Sequence, residues 1–272
     1  MTDLDAVVLR AAYDAHLRAR PPEPLPQGVT VEWDGPLLRV RGLDRDGLLT
    51  YRDLGGLRGA ELDELIARQR DHFAARGERV EWKLRGHDEP ADLPERLRAA
   101  GFEPGEQETV MIGPVAPLAA TLPVPPEGVR LREVTARADL DRIGELMSVV
   151  WGGEGGWLAD SLAREIAAGA ASDQPPLTVV VAETGGDELV GAAWVRYVAG
   201  TPFATLWGGS ILPGWRRRGV YRALVAYRAR LAEVRGFTLL QVDASDDSRP
   251  ILQRLGFVPV TTTTPYVYTP KP

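Results

Sequence analysis

The chain has 272 residues, of which 44% are hydrophobic and 26% charged, and its formal net charge is −6. A chain of this length forms one large domain or two ordinary ones, and it can bury enough surface to fold without disulfides or metals. It contains no cysteine, which excludes structural disulfides, thiolate catalysis and cysteine-ligated zinc. Its three histidines, His16, His72 and His87, are not at helical ligand spacing, so no metal site is predicted.

The negative charge lies in the first half of the chain. Residues 1–115 hold 16 basic and 22 acidic side chains, whereas residues 116–272 are neutral overall. An acidic chain is a poor nucleic-acid binder, because such binding draws most of its affinity from phosphate neutralisation. The N-terminal residues lack a secretory signal, and no apolar run approaches the ~20 residues of a membrane helix. We therefore predict a cytoplasmic protein that binds neither nucleic acid nor membranes.

Two helices give the clearest signals in the first half. One is predicted at 60–76 and ends before Gly77. A second ends at Ala100, before the sequence Gly101-Phe102-Glu103-Pro104. Glycine directly after a helix is a common cap, because it adopts the left-handed conformation without strain.

A proline-rich stretch follows at 113–128, GPVAPLAATLPVPPEG, with five prolines and no charge before Glu127. Such a stretch is not expected to form a helix or a central strand, and its stiffness suits a connector. We therefore predict a first domain at 1–115, a linker at 116–128 and a second domain at 129–272.

The second half alternates between strand and helix patterns. A buried strand at about 203–212 runs into an arginine- and glycine-rich turn, which an amphipathic helix follows from Gly219. The other predicted elements are strands at 129–134, 177–183, 188–198 and 238–243, helices at 139–150, 157–169 and 249–255, and one or two closing strands at 257–268.

The second half repeats features of the first. The helix that ends before Gly236-Phe237 corresponds to the one that ends before Gly77, and Gly256-Phe257-Val258-Pro259 corresponds to Gly101-Phe102-Glu103-Pro104. The two pairs occur in the same order and at nearly the same separation. This agreement predicts a duplicated fold.

Four arginines, Arg216, Arg217, Arg218 and Arg222, lie at or just before the start of the predicted helix after Gly219. A helix start is electropositive, so each cation there costs roughly 0.3–1 kcal/mol unless an anion binds. A bound pyrophosphate would make each of these arginines favourable instead of costly. No Walker loop, G-x-G-x-x-G or nucleophile elbow is present.

The segment from Ser210 to Tyr221 resembles the GNAT superfamily of N-acetyltransferases: a strand, a proline, an aromatic residue, an R-x-x-G-x-G/A loop and a helix, followed by a strand, a short helix and Gly-Phe. The resemblance covers residues 129–268 well and the first half weakly. It implies an α/β fold with a mixed, mostly antiparallel sheet flanked by helices, and acetyl-CoA as the acyl donor. The residues that it implies in cofactor binding are Ile211, Leu212, Arg216, Arg217, Arg218, Gly219, Val220, Tyr221 and Ser245.

The sequence departs from the family pattern at the catalytic positions. The tyrosine that often acts as general acid corresponds to Leu252, and the strand that leads to the loop lacks the frequent glutamate base. Deprotonating an alkylammonium at neutral pH costs roughly 4–5 kcal/mol, so a missing base matters more than a missing acid. Glu154 and Asp243 are candidate bases, and Tyr266 is a candidate acid.

We therefore expect transfer of an acetyl group to a primary amine of a small molecule or peptide, and the acidic first half favours a cationic acceptor. The corresponding loop of the first half, 57–62, has a glutamate where a phosphate would lie, so no cofactor is expected there. Two alternatives remain: a non-catalytic acyl-CoA sensor or scaffold, and an interaction module whose arginines contact an acidic partner. A homodimer is compatible with the sequence, which does not fix the oligomeric state.

Overall fold

The computed structural model describes residues 3–42 and 46–271. The first half contains α1 (Asp3–His16), β1 (Thr30–Asp34), β2 (Leu37–Arg41), β3 (Gly47–Thr50), α2 (Gly59–Ala74), β4 (Val80–Arg85), α3 (Leu93–Ala99), β5 (Glu103–Pro104) and β6 (Glu108–Pro114). The second half follows as α4 (Val115–Ala119), β7 (Val129–Val134), α5 (Arg137–Trp151), α6 (Gly156–Ala168), β8 (Leu177–Thr184), β9 (Leu189–Tyr197), β10 (Phe203–Ile211), a 3₁₀ turn (Pro213–Trp215), α7 (Val220–Val234), β11 (Leu239–Ala244), α8 (Arg249–Arg254) and β12 (Val258–Tyr268).

All the described strands belong to one twelve-stranded sheet, in the order β1-β2-β3-β4-β12-β6-β11-β10-β9-β8-β7, with the short β5 paired to β12. Only the pairs β3–β4 and β10–β11 are parallel among the described strands. Each parallel pair is joined by one long helix, α2 in the first half and α7 in the second, as parallel strands require a crossover connection. The predicted fold class, a mostly antiparallel mixed sheet flanked by helices, is confirmed.

Helices cover both faces of the sheet. On one face, α4, α7 and α8 pack on β6, β10 and β11 around Met111, Val225 and Leu252. Helices α2 and α3 bury Trp82 and the surrounding apolar side chains of the first half. On the opposite face, α5 and α6 cover β8 and β9, and α1 covers the centre of the sheet.

The two halves exchange strands at the centre of the sheet. Strand β6 of the first half lies between β11 and β12 of the second, where Val110 pairs with Asp243. Strand β12 in turn runs on past β6 and pairs with β4 of the first half, where Tyr266 lies opposite Trp82. Because each half completes the sheet of the other, the division into domains 1–115 and 129–272 stays a prediction.

The proline-rich stretch contains more structure than expected. Gly113 and Pro114 close β6 and pair with Leu240 and Leu239, and the next residues form α4, whose Val115 and Leu118 are buried. The expectation of neither a helix nor a central strand at 113–128 was therefore wrong at its start. A proline in the first turn of a helix is tolerated, because the amide it lacks has no intrahelical partner there.

The predicted repeat is visible in the helix ends. Gly101 and Gly256 both have positive φ, +91° and +93°. The following amides of Phe102 and Phe257 donate to the carbonyl oxygens of Leu97 and Leu252, at 3.0 Å in each case. The same cap therefore closes equivalent helices in the two halves, as the sequence comparison predicted.

No helix in residues 3–42 and 46–271 is both long and apolar enough to cross a lipid bilayer.

Candidate functional site

Strands β10 and β11 separate where the second half approaches its arginine-rich loop. They pair only from Phe203 and Leu239 to Thr205 and Gln241. Strand β10 then continues to Ile211 and β11 to Ala244 without further pairing between the two. The backbone amides and carbonyls along this gap therefore need partners other than the neighbouring strand, since buried polar groups are normally hydrogen-bonded.

A bulge in β10 shapes the wall of the gap. The register between β9 and β10 shifts between Trp207 and Ser210, and Gly208 has a φ of +78°. A Cβ at Gly208 would lie 2.1 Å from the ring of Trp194, so the bulge requires glycine there. The bulge leaves the backbone of this stretch open toward β11.

A buried arginine fixes the bulge from the helix side. Arg228 of α7 donates to the carbonyl oxygens of Trp194 and Trp207, at 3.1 Å each, and to that of Leu224 at 3.0 Å. Burial lowers the pKa of Arg228 to about 10, so it remains a cation at neutral pH. Its carbonyl partners stabilise that charge without a carboxylate.

The loop between β10 and α7 turns sharply at two residues with positive φ. Arg217 has a φ of +60°, and Gly219, at the N-cap of α7, has a φ of +93°. No side chain caps the first turn of α7, and that turn contains no acidic residue. The helix therefore presents uncapped amides and the positive end of its dipole at the loop.

The four arginines around this helix start are all exposed. Within the described part of the chain, none of them has a carboxylate within ion-pair distance. Their recorded contacts are a hydrogen bond from Arg216 to the carbonyl oxygen of Ile211 and the stacking of Arg218 over the ring of Trp215. This combination of unpaired cations and free amides can bind a polyanion such as a pyrophosphate.

The structure brings the predicted cofactor residues together at the open end of the gap. Ile211 and Val220 are buried, and Leu212 and Gly219 are half-buried between them. The ring of Tyr221 points inward, because a Cβ at Gly209 would lie 2.8 Å from its Cε2 atom. The ring thus packs on the bulge of β10, its hydroxyl interacts with Ser248, and burial raises its pKa.

Ser245 lies directly after β11, on the other side of the gap. Its hydroxyl is 3.3 Å from that of Ser248, and its carbonyl accepts the amides of Ser248 and Arg249. It therefore helps to begin α8. Leu252, which takes the place of the family's usual acid, is fully buried in the core of the second half.

The three catalytic candidates lie in different parts of the molecule. Glu154 is exposed in the loop that joins α5 to α6. Asp243 lies on β11 beside the gap, and its side chain is 16% exposed. Tyr266 is 3% exposed in the core of the first half. These three roles stay predictions.

A cluster of charged side chains around Asp243 could not be anticipated from the sequence. Lys83 of β4 donates to Oδ2 of Asp243 at 2.7 Å, across β12 and β6, and Gln241 donates to Oδ1 at 2.7 Å. Glu81 of β4 and Glu108 of β6 lie near this pair and interact electrostatically with it. We name Glu81, Lys83, Glu108 and Asp243 the central cluster; only the strand exchange brings its members together.

The first half has an equivalent strand gap that is filled by side chains. Strands β3 and β4 pair only from Gly47 to Leu49. Beyond that point Arg85 of β4 donates across the gap to the hydroxyl of Thr50 at 3.3 Å, and within β4 it donates to the carbonyl oxygen of Lys83 at 2.7 Å. Beside it, the Tyr51 hydroxyl donates to Asp88 at 2.6 Å. A cavity of about 290 Å³ remains beside the 51–58 loop.

Comparison with known proteins identifies the second half. Residues 142–257 match the model of the family described as acetyltransferase (GNAT) family. The matched range contains the gap, the arginine loop and α7. The match covers less than half of the chain, and it gives the second half the loop and the following helix of a GNAT domain.

Solved structures share the fold over nearly the whole chain. A GCN5-related N-acetyltransferase from Kribbella flavida has a TM-score of 0.66 at 19% identity, covering 96% of this chain and 95% of that one. A tandem GNAT protein from the clavulanic acid biosynthesis pathway has a TM-score of 0.63 at 15% identity, covering 99% and 94%. A conserved protein of unknown function from Staphylococcus epidermidis has a TM-score of 0.65 at 13% identity, covering 92% and 97%. No curated protein matches the chain in sequence.

These identities show the fold alone, and they extend it to both halves. The described residues contain no group of three or more potential ligands that could hold a metal ion.

Proposed function

We propose that the second half binds acetyl-CoA and transfers its acetyl group to a primary amine of a small molecule or peptide. The observation that carries this proposal is the gap between β10 and β11, which opens directly onto four unpaired arginines and an uncapped helix start. In this proposal the thioester supplies the activated acetyl group, and the protein positions it for attack.

The binding residues follow from the geometry of the gap. The amides of the first turn of α7, with Arg216, Arg218 and Arg222, would hold the pyrophosphate. Backbone groups of Ile211 would pair with the amide-containing pantetheine arm, in place of the β11 strand that has moved away. The amide of Leu212 instead donates to the carbonyl oxygen of Val190, and its carbonyl oxygen accepts the amide of Trp215. The buried Arg228 keeps the bulge in the conformation that this requires.

The acceptor side of the gap favours a cation. The central cluster contains three carboxylates and one ammonium, and it lies on the face opposite α7, where Asp243 borders the gap. Arg85 of β4 lies on the same face and acts on Glu81 and Lys83, so the carboxylates exceed these two cations by one. Trp207, 42% exposed, lies on the same face of β10, with Arg196 stacked 4.6 Å from its ring centroid. A protonated amine gains from this net negative field, whereas an acidic acceptor is repelled.

The first half is proposed to hold no cofactor. Arg85 occupies the place between β3 and β4 that corresponds to the gap of the second half. Helix α2 also has Glu61 in its first turn, where a phosphate would be repelled. Its proposed role is to complete the sheet and the acceptor side of the site. A cytoplasmic location and a homodimer stay predictions.

Affinity for acetyl-CoA tests the binding part of the proposal. Arg222→Ala removes a charge from the first turn of α7, and a hydrogen bond to a charged group contributes about 1.5–3 kcal/mol. We expect a roughly tenfold to hundredfold rise in the dissociation constant measured by calorimetry. Arg230→Ala is the matched control, because Arg230 is exposed on the same helix two turns further on.

The transfer itself is tested by thiol release with a panel of amines. Polyamine- or aminoglycoside-like acceptors are expected to react faster than neutral or acidic amines. Binding of acetyl-CoA without turnover of any amine would instead favour the sensor or scaffold. The absence of binding heat, with no effect of the arginine substitutions, would favour the interaction module.

A further inference from the structure

Glu108 lies on the acceptor side of the gap although it belongs to the first half. On β6, Val110 pairs with Asp243 of β11 and Thr109 pairs with Ala244. Because alternate residues of a strand share a face, Glu108 is on the same face as Asp243. It lies level with Ser245, beyond the point at which β10 leaves β11. A side chain there faces the acceptor side of the open end.

Glu81 and Glu108 are the members of the central cluster without a recorded hydrogen-bond or ion-pair partner among the described residues, and only Glu108 lies on a strand next to β11. Asp243 has both oxygens engaged, one by Lys83 and the other by Gln241. Glu108 is half-buried, and among the residues that the structure describes it has no hydrogen-bond or ion-pair partner. A carboxylate that nothing neutralises can accept a proton from a ligand.

The surroundings tune this carboxyl group for proton transfer at neutral pH. Burial, followed by the negative charge of Asp243, raises the pKa of Glu108 to about 7, against the opposing effect of Lys83. Glu106 on its own segment and Glu81 on β4 act in the same direction as Asp243. Strand β12, between β4 and β6, places Thr263 and Pro265 on this face and adds no charge there. Arg85 of β4 lies on the same face across Thr263, and His87, paired with Asp14 of α1, lies against Thr261. A base with a pKa near the working pH transfers protons most effectively.

We propose that Glu108 is the general base of the acetyl transfer in the second half, so that the first half supplies a catalytic residue to the active site of the other. The inference rests on the proposed function of the second half. The sequence offered Glu154 and Asp243 as candidate bases. The proposal gives that role to Glu108, which lies on β6, a strand of the first half.

The proton and electron balance is complete without another reactant. The ammonium group of the acceptor loses one proton to the Glu108 carboxylate, and the nitrogen lone pair attacks the thioester carbonyl carbon. As the tetrahedral adduct collapses, the C–N bond stays, the C–S bond breaks, and the second nitrogen proton goes to the departing thiolate. Glu108 then releases its proton to solvent. The products are an N-acetylated amine, coenzyme A thiol and one proton.

The test compares Glu108→Gln with Glu103→Gln in the full chain. Glu103 is the matched control, because it is an exposed glutamate of the same segment that does not act on the pKa of Glu108. Both variants should bind acetyl-CoA like the wild type. With the best amine of the panel, we expect Glu108→Gln to lower kcat/KM at pH 7 by about 10²–10⁴-fold, the usual contribution of a general base. Glu103→Gln should stay within about threefold.

The pH profile separates a catalytic from a structural role. For the wild type, kcat/KM should rise through an inflection near pH 7, and Glu108→Gln should lose that inflection. Asp243→Asn should move the inflection to lower pH and Lys83→Met to higher pH, because these substitutions remove opposite charges beside Glu108. These shifts also test the proposal if Glu108→Gln does not fold.

An unchanged inflection and a near-normal rate in Glu108→Gln would overturn this assignment while leaving the proposed function intact. So would shifts of the same sign, or no shifts, in the Asp243 and Lys83 variants. A wild-type protein that binds acetyl-CoA but acetylates no amine would overturn both proposals.

Discussion

The two halves have the same strand–helix–strand unit, but only the second keeps its strand gap open. In the first half, Arg85 bridges β3 and β4, with Tyr51 and Asp88 bonded beside it. In the second half, β10 and β11 separate, and no side-chain hydrogen bond recorded among the described residues crosses between them beyond Thr205 and Gln241. One scaffold therefore supports either a filled or an open gap, depending on a few side chains.

The first turns of α2 and α7 also differ, in the charge of their side chains. Helix α7 begins among unpaired arginines with no acidic residue in its first turn, whereas α2 has Glu61 there. Both helix starts contain a glycine with positive φ, Gly59 as the first residue of α2 and Gly219 as the N-cap of α7. The charged side chains then decide which of the two ends attracts an anion.

The two halves differ at their strand gaps, but they share one sheet. Removing residues 1–128 deletes β6, whose Val110, Met111 and Ile112 are fully buried. Burying one such side chain contributes about 1.5–3 kcal/mol, so roughly 5–9 kcal/mol is lost, a large part of the roughly 5–15 kcal/mol that stabilises a domain. We expect 129–272 alone to show no cooperative thermal transition in circular dichroism.

Co-expression of residues 1–122 with 123–272 is the control for that truncation. It restores β6 and breaks the chain only in the exposed segment after α4. The two fragments should purify together with a cooperative transition. A well-folded, monomeric 129–272 fragment would show instead that the second half does not depend on strand exchange.

The two halves also differ in the strand that precedes the crossover helix. In the second half β10 has a bulge in its pairing with β9, whereas in the first half β3 pairs with β2 without a register shift. Gly208→Ala adds a Cβ 2.1 Å from the Trp194 ring at a φ of +78°. We expect a loss of about 2–5 kcal/mol in the free energy of unfolding, from backbone strain together with overpacking, and weaker binding of acetyl-CoA.

Gly200→Ala is the matched control for the backbone part. Gly200 has a similar φ of +71°, but nothing lies within 4 Å of a Cβ there. Its cost should be limited to the strain, about 1–2 kcal/mol, with unchanged affinity for acetyl-CoA. Denaturant unfolding and calorimetry measure both quantities. Equal costs in the two variants would show that the bulge is not constrained by Trp194.

Local patterns in the sequence predicted much of the second half. The buried strand that ends at Ile211, the glycine at the start of α7 and the Gly-Phe cap at 256–257 are each local features, and the structure places them as expected. The duplicated order of elements was visible for the same reason. A short helix after Pro114 was missed because five prolines outweighed the apolar pattern of Val115 and Leu118.

The central cluster was out of reach of the same reasoning. Lys83, Glu108 and Asp243 are far apart in sequence, and they meet only because β6 and β12 are exchanged between the halves. Strand pairing over such distances depends on the whole sheet, not on the residues of one strand. A local pattern could thus suggest Asp243, beside the loop, but not its partners.

Hydrogen exchange with and without saturating acetyl-CoA compares the two halves in one experiment. Our account predicts slower exchange at 211–222 and at the end of β11, and no change at 50–61, where Arg85 fills the equivalent gap. Protection at 50–61, or at neither segment, would contradict the claim that the second half alone receives the acyl donor.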